Sequence, residues 1–104
     1  MKELVEQVEK LVAEEGTRSM IEHPLFNSTH EGYAVIKEEI EETEYELNVL
    51  NEMLEGAWRA IKDDRQCDGH MIEIKKRAIN TAAEAIQTAA MAQKCIDSFE
   101  AENE

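Results

Sequence analysis

The longest apolar pattern in the chain runs through its middle, where apolar side chains recur at alternating spacings of four and three residues. This seam has a period of 3.5 residues and continues for about four heptads, which is typical of helices that pack in bundles or coiled coils. Ser28 and Glu31 have the spacing of a capping box, so the pattern predicts one helix over residues 29–62. The members of the seam are Ile36, Ile40, Thr43, Leu47, Leu50, Leu54, Ala57 and Ile61.

A shorter amphipathic pattern precedes this helix. It predicts a helix over residues 2–15, with Gly16 as its stop. Residues 17–28 are expected to form an apolar connector that lies against the bundle, because Pro24 disfavours helix at the preceding residue. The apolar stripe of the first helix consists of Leu4, Val8 and Leu11, with Val5 and Val12 beside it.

The last segment predicts a third helix over residues 69–99, with Asp68 as its cap and residues 100–104 as a frayed tail. Its broad apolar surface indicates a helix with neighbours on most sides. We therefore expect an all-α fold, in which residues 1–104 form a single domain of three helices packed up-down-up. The long second helix outreaches what one chain can cover, so we also expect a homodimer or homotetramer. The principal stripe is Ile72, Ile79, Ala82, Ile86, Ala89 and Ile96.

Composition narrows the possible partners. The formal net charge of −13 argues against a polyanionic partner such as nucleic acid, because this surface would repel phosphates. The acidic start of the chain is unlike a signal peptide. The chain has no run of about 18 apolar residues, so no membrane span is expected. Cys67 and Cys95 have neither zinc-site nor disulfide-framework spacing. We expect a cytoplasmic protein without a membrane or nucleic-acid partner.

The heptad phase divides the glutamates of the second helix into two sets. Glu38, Glu41 and Glu44 point away from the seam and are expected to be solvated. The other set flanks the seam, where three acids one turn apart repel one another unless water or a cation compensates. Carboxylates at this spacing suit Mg²⁺ or Mn²⁺, although an ordinary solvated flank has the same pattern. This second set is Glu39, Glu42 and Glu46.

The third helix carries a polar strip with one carboxylate, Glu84, at its centre. If the two long helices pack side by side, Glu84 can join Glu39 and Glu42 around one ion, and Arg77 or Lys94 can meet phosphate oxygens. A single solvated face is the alternative. A di-iron bundle site would need a Glu-x-x-His pair on each of two helices, which this chain does not have. The full strip is Arg77, Asn80, Glu84, Gln87, Met91 and Lys94.

Two segments, HEGYAVIKEEIEE and EAIQTAAMAQK, resemble the MazG-like all-α nucleoside triphosphate pyrophosphohydrolases, particularly the short, often phage-associated members. The likeness covers roughly residues 26–97. That family binds Mg²⁺ around the triphosphate with a Glu-x-x-Glu pair on one helix and a Glu-x-x-Asp pair on a later one. Glu39 and Glu42 match the first pair. Glu84 and Gln87 occupy the second, with Gln87 at the position of the acid.

The resemblance implies hydrolysis of a nucleotide between its α- and β-phosphates, with Mg²⁺, or Mn²⁺ in its place, as the cofactor. Metal ligands would be Glu39, Glu42, Glu84 and Gln87. Glu42 or Glu46 would position the attacking water, and no Walker-type glycine loop is present. Candidates for contacts with the nucleotide are His30, Tyr33, Arg77, Asn80 and Lys94. Phe26 is a further candidate for contact with the base, and packing is the alternative role for both Phe26 and Tyr33.

A second function fits the same pattern. The seam of the long helix can bind a partner helix, as in a non-catalytic oligomerisation or partner-binding module of a phage or bacterium. The neutral Gln87 and the short chain favour this alternative, whereas the placement of Glu39 and Glu42 beside the seam favours the enzyme.

Overall fold

A computed structural model describes residues 1–102 and confirms the all-α prediction. Three helices account for most of these residues, and the described part of the chain contains no strand. The helices are α1 (Lys2–Glu22), α2 (Thr29–Lys62) and α3 (Asp68–Glu102). The predicted tail is therefore helical as far as Glu102, and its last two residues lie outside the described range.

Helix α2 begins and ends where its pattern predicts. The Ser28 hydroxyl accepts a hydrogen bond from the Glu31 amide at 3.1 Å, which satisfies one of the free donors of the first turn. The Glu31 carboxylate accepts from the Asn27 side chain at 3.2 Å. Arg59 and Lys62 lie in the last turn, where positive charge opposes the negative end of the helix dipole.

Helix α1 is longer than predicted, because Gly16 does not end it. The helix continues to Glu22 and stops where His23 takes an extended conformation before Pro24. The ring of a proline disfavours helical backbone at the preceding residue, so Pro24 is the effective stop. At the other end of the molecule, α3 begins at Asp68, one residue earlier than predicted, and the Cys67 carbonyl accepts from the Met71 amide at 3.0 Å.

The three helices pack up-down-up, with α3 between the other two. Among the described residues, α3 contacts both α1 and α2, while α1 and α2 do not contact each other. Helices α2 and α3 run antiparallel and approach closely near both ends. At one end a Cβ on Gly32 would overlap the Sγ of Cys95. Near the other, a Cβ on Gly56 would lie 3.2 Å from the Cδ2 of His70.

Lys94 and Ser98 fasten the connector between α1 and α2 to α3. The Lys94 ammonium is almost fully buried, donates to the His23 carbonyl at 2.9 Å and lies 5.2 Å from the centre of the Phe26 ring. The Ser98 hydroxyl accepts from the Phe26 amide at 3.0 Å and donates to the Lys94 carbonyl at 2.7 Å. The Lys94 charge therefore compensates the negative end of the α1 dipole.

The core of a single chain is small. The buried apolar residues in the described range are Ala57, Ala60, Ala90, Met91 and Cys95. The molecule measures 64 × 29 × 22 Å and has a radius of gyration of 17.8 Å, against about 13 Å for a compact domain of this length. Its accessible surface is 7816 Å², roughly 1,900 Å² more than a compact monomer of this mass exposes.

The predicted seam of α2 is divided between two surfaces. Helix α3 covers one half of it together with the neighbouring flank, where Glu39 and Glu46 are half-buried and Gly32 is buried. The covered half of the seam, buried or half-buried, is Ile36, Thr43, Leu50 and Ala57. Four large seam residues stay exposed: Ile40, Leu47, Leu54 and Ile61. The predicted stripe of α3 is likewise exposed at Ile72, Ile79 and Ile96. These apolar surfaces contribute to the large area of the chain.

None of the helices within residues 1–102 is both long and apolar enough to cross a membrane.

The close approach at Gly32 gives a first prediction. The substitution Gly32→Ala should lower the free energy of unfolding by about 1–3 kcal/mol, because the added methyl group overlaps the Cys95 thiol in a tight contact. Chemical denaturation followed by circular dichroism measures this change. Adding Cys95→Ala should recover part of the loss, because the overlapping sulfur is gone.

Gly16→Ala is the matched control. No atom lies within 4 Å of a Cβ built at Gly16, and the residue is in the interior of α1. This substitution should raise the free energy of unfolding by roughly 0.5–1 kcal/mol, the usual gain for replacing a mid-helix glycine. Equal effects at the two glycines would contradict the close packing of α2 on α3.

Candidate functional site

The candidate site lies in the middle of the α2–α3 contact, between the close approaches at Gly32 and Gly56. Glu39 and Glu42 are one turn apart on α2, and Glu84 comes from α3. One carboxylate oxygen of each of these residues lies within 4.8 Å of the others. Three of the four predicted metal ligands therefore lie close together, although Glu84 belongs to a different helix from Glu39 and Glu42. Glu39, Glu42 and Glu84 are called the acidic cluster below.

One threonine in each helix bonds to the backbone beside the cluster. The Thr43 hydroxyl donates to the Glu39 carbonyl at 2.9 Å, and the Thr88 hydroxyl donates to the Glu84 carbonyl at 3.0 Å. These threonines satisfy their own hydroxyl groups within their helix, so they do not donate to the carboxylates. The charge of the cluster is therefore left to water, protons or a cation.

The two α2 carboxyls respond to this crowding with raised pKa values. Burial in the helix contact is the largest cause that raises the pKa of Glu39, and the charges of Glu42 and Glu38 raise it further, while a hydrogen bond with Glu84 lowers it. The pKa of Glu42 is raised first by its hydrogen bond with Glu84 and then by the Glu84 charge. Both groups hold a proton more tightly in the folded chain than in the unfolded chain.

An open cavity of about 500 Å³ adjoins the cluster, a size within the usual range for small-molecule sites. Glu42 and Glu84 line it directly. So does Glu46, which is not part of the cluster. The other lining residues are Glu38, Glu41 and Tyr45. The strongly acidic lining would attract cations and repel a phosphate group that arrived without one.

Arg77 supplies positive charge beside this cavity. Its Nη1 donates to both carboxylate oxygens of Glu46, at 3.3 and 3.5 Å. The Arg77 side chain is 38% exposed and that of Glu46 is 17% exposed, so the guanidinium stays accessible from solvent while its partner is mostly covered. The Thr81 hydroxyl bonds the Arg77 carbonyl at 2.8 Å. Of the five predicted contacts with the nucleotide, Arg77 is the one that contacts a cavity-lining residue.

Other predicted site residues lie elsewhere. The Gln87 side chain donates to Oε1 of Glu15 on α1 at 2.5 Å, and Glu15 also pairs with Arg18. Lys94 is engaged by the connector, as described above. Asn80 and His30 are exposed, and Tyr33 lies over a separate groove on α2. The polar strip of α3 is thus shared between the α1 and α2 contacts, and is not a single solvated face.

The heptad phase identified the solvated set well, since Glu38, Glu41 and Glu44 are all exposed. It missed two features of the site. Glu38 borders the cavity and raises the pKa of both cluster residues on α2, a role that its spacing of four residues from Glu42 could have indicated. Glu15 was missed because the predicted helix ended there.

The three carboxylates could hold a divalent cation if they moved closer together. Magnesium binds carboxylate oxygens at about 2.0–2.1 Å in octahedral geometry, so neighbouring ligand oxygens are about 3 Å apart and opposite ones roughly 4 Å apart. Three ligands on one ion include at least two neighbouring pairs, so oxygens that now lie within 4.8 Å of one another would have to approach to about 3 Å. Glu42 is exposed, which leaves room for water or a substrate oxygen at the remaining coordination positions.

Comparisons with known proteins add no relative: no family model, no curated protein and no solved structure matches the chain.

The raised pKa values give a second prediction, for protein freed of metal with a chelator. The folded state binds these protons more tightly than the unfolded state does. The contribution of these two carboxyls to the free energy of unfolding therefore falls as the pH rises through and above the ordinary glutamate pKa of 4.5. Glu39→Gln removes this loss and should raise the melting temperature at neutral pH. The gain should shrink as the pH approaches 4.5. Thermal melts between about pH 4 and pH 8 measure it.

Glu44→Gln is the control for net charge, because Glu44 is exposed on the same helix and lies outside the cluster. It removes the same charge from the chain without relieving crowding. If both substitutions shift the melting temperature equally at every pH, the stabilisation arises from overall charge, and crowding of the carboxylates in the cluster does not lower stability.

Proposed function

We propose that this protein is a metal-dependent nucleotide pyrophosphohydrolase, which cleaves a nucleoside triphosphate to a monophosphate and pyrophosphate, as the resemblance to the MazG-like enzymes implies. The observation that carries the proposal is the acidic cluster. The two carboxylates that match the Glu-x-x-Glu pair and the one that matches the later pair have oxygens within 4.8 Å of one another, although they come from two helices. Neither helix alone brings them together.

The cluster residues would hold Mg²⁺, or Mn²⁺ in its place, through carboxylate oxygens. The cation would screen the phosphate charge and stabilise the negative charge that develops on the leaving pyrophosphate. The chain's own contribution is to bring three mutually repelling carboxylates from two helices into one place. Gln87 adds no ligand in this arrangement, because its amide is bonded to Glu15.

Glu46 is the best placed residue to accept a proton from the attacking water. It lines the same cavity as Glu42 and Glu84, but its oxygens are not part of the cluster. Arg77 holds the Glu46 carboxylate in a fixed orientation and offers its remaining N–H groups to phosphate oxygens. Water attacks the α-phosphorus, the bond to the bridging oxygen breaks, and pyrophosphate leaves. Glu42 is the second candidate for the base.

Tyr45 is the aromatic residue on the cavity wall. Its side chain is 64% exposed, which leaves the ring available for stacking on a nucleotide base. Tyr33 and His30 lie about two heptads before Tyr45, towards the start of α2, so they reach a nucleotide only if it extends along that helix. We assign base contact to Tyr45 in preference to these two.

The enzyme acts as a homo-oligomer. One chain exposes roughly 1,900 Å² more than a compact monomer of its mass, and large apolar residues of α2 and α3 contribute to that excess. A water-exposed surface of this kind is normally covered by another protein chain.

The second candidate function is a non-catalytic module that binds a partner helix on α2. Two observations favour it: Gln87 is taken up by α1, and the exposed seam of α2 offers an apolar helix face. In that case the acidic cluster serves only solubility and binds no cation tightly.

The third prediction concerns activity. Purified protein incubated with ribo- and deoxyribonucleoside triphosphates and Mg²⁺ should release pyrophosphate and the monophosphate in equal amounts, which distinguishes this cleavage from release of inorganic phosphate. Glu39→Gln and Glu84→Gln should each lower kcat/KM by at least on the order of a hundredfold, because each removes a carboxylate from the cation. Excess chelator should abolish turnover.

Glu44→Gln is again the matched control and should retain wild-type activity. Arg77→Lys should lower kcat with little change in the free energy of unfolding. Lysine keeps the charge but loses the guanidinium N–H groups that do not bond Glu46 and are offered to phosphate oxygens. Failure of the wild-type protein to turn over any of the nucleotides with Mg²⁺ or Mn²⁺ would favour the partner-binding module.

A further inference from the structure

Helix α2 carries an unpartnered apolar face. Its large residues are spaced seven apart and span about 42 Å of the helix, so they form a nearly straight line. Trp58 lies beside this line and is 56% exposed. The residues of the line, here called the α2 face, are Tyr33, Ile40, Leu47, Leu54 and Ile61, all exposed in a single chain.

We propose that a second copy of this chain covers the α2 face, with the two α2 helices antiparallel around a two-fold axis near Leu47. The proposal deepens the oligomer named under the proposed function and does not depend on its catalytic part. A standard interface buries about 800 Å² on each partner, and obligate dimers bury more. The excess surface of roughly 1,900 Å² is enough for such an interface.

Charge selects the antiparallel orientation. The first half of α2, residues 29–46, has seven glutamates and one lysine, a net charge of −6. The second half, residues 47–62, has two glutamates, one arginine and one lysine, a net charge of zero. A parallel pair would place the two acidic halves side by side. An antiparallel pair places each acidic half against a neutral half and also opposes the helix dipoles.

The grooves on α2 match this orientation. An apolar cavity of about 410 Å³ lies at the end of the helix and is lined by Leu54, Trp58 and Ile61, together with Met71 of α3. A second groove of about 350 Å³ at the start of the helix is lined by Tyr33, Ile36 and Ile40 on its apolar side and by Lys37, Glu41 and Glu44 on its polar side. In the antiparallel pair, the apolar cavity of each chain faces the partner's groove at the start of α2.

The register follows from using the full length of the face. With Leu47 at the axis, Ile40 packs against the partner's Leu54, and Tyr33 enters the apolar cavity beside the partner's Ile61. Lys37 then meets the ring of the partner's Trp58, a favourable cation–π contact. A shift by one heptad in either direction leaves Tyr33 or Trp58 uncovered.

Sedimentation experiments provide the first test and the fourth prediction. Wild-type protein should sediment at micromolar concentration as a dimer or as a larger assembly built from dimers. Leu47→Glu should raise the dissociation constant roughly a hundredfold or more, because each dimer buries this side chain twice. Ile79→Glu is the matched control, since Ile79 is 60% exposed on α3. It should leave the α2 pairing intact.

Cysteine pairing tests the orientation without disturbing the apolar residues. In a Cys67→Ser background, Glu44→Cys and Asn51→Cys chains are co-expressed with different tags. The register places residue 44 beside the partner's residue 51, so mild oxidation should give a disulfide between unlike chains. Cys95 can stay, because it is buried.

Three results would overturn the proposal. These are a monomer at all concentrations, an assembled dimer in which oxidation gives no disulfide between the unlike chains, or loss of assembly with Ile79→Glu but not with Leu47→Glu. The disulfide forms in a chain whose α2 face is unaltered, so the orientation test stands even if Leu47→Glu does not fold. Neither experiment uses a nucleotide, so failure here is distinct from failure of the pyrophosphate assay.

Discussion

The close antiparallel contact between α2 and α3 is the constraint on which the rest of the molecule depends. Small residues permit it at both ends, where Gly32 meets Cys95 and Gly56 meets His70. Between these two points the helices cannot separate, so the side chains that project from α2 and α3 are forced into a narrow space. The side chains there include Glu39 and Glu84. The site is therefore a consequence of packing at positions that carry no charge at all.

The same contact explains an apparent conflict in the sequence. Charged residues are rarely placed between packed helices, because burial without a partner is costly. Two features reduce the repulsion here. Arg77 neutralises Glu46, and the hydrogen bond with Glu84 raises the pKa of Glu42. Glu39 has no such positive partner. A bound divalent cation would remove the remaining repulsion, and we propose that the cluster binds one.

Much of the fold follows from periodicity and capping. The bounds of α2 follow from the Ser28 cap and an unbroken heptad phase, and the split of its glutamates follows from the same phase. The end of α1 did not follow, because a glycine inside a helix and a glycine that stops one are alike in local sequence. Which half of the α2 seam is covered by α3 also could not be predicted, because it depends on the fit at Gly32, a contact between residues far apart in the chain.

The candidate site divides in a similar way. Local spacing identified Glu39 and Glu42, and the strip on α3 identified Glu84, since each lies on a face that periodicity can define. The partners of Gln87 and Lys94 could not be found in this way, because Glu15 and the His23 carbonyl belong to a segment whose helix was expected to stop early. Long-range contacts of this kind depend on how α1 docks on α3. The resemblance to MazG-like enzymes indicates neither the Glu15 contact nor the His23 contact.

An α2 face covered by a second copy would complete this picture, because each chain would then have a supported helix behind its acidic cluster. Helix α2 contacts α3 on one side only, and its remaining apolar side faces water in a single chain. Covering that side would limit the bending of α2, and the carboxylate separations in the cluster depend on how straight the helix is. Assembly and site geometry would thereby be linked through one helix, without any contact between the two.

The central claim is that the α2–α3 contact creates one divalent-cation site in each chain. Titration of metal-free protein with Mn²⁺, followed by the electron paramagnetic resonance signal of the free ion, tests it most directly. We predict one site per chain above the weak background expected of a surface with a net charge of −13. Glu84→Gln should abolish that site and Glu44→Gln should preserve it. Equal, weak binding by all three proteins would contradict the claim.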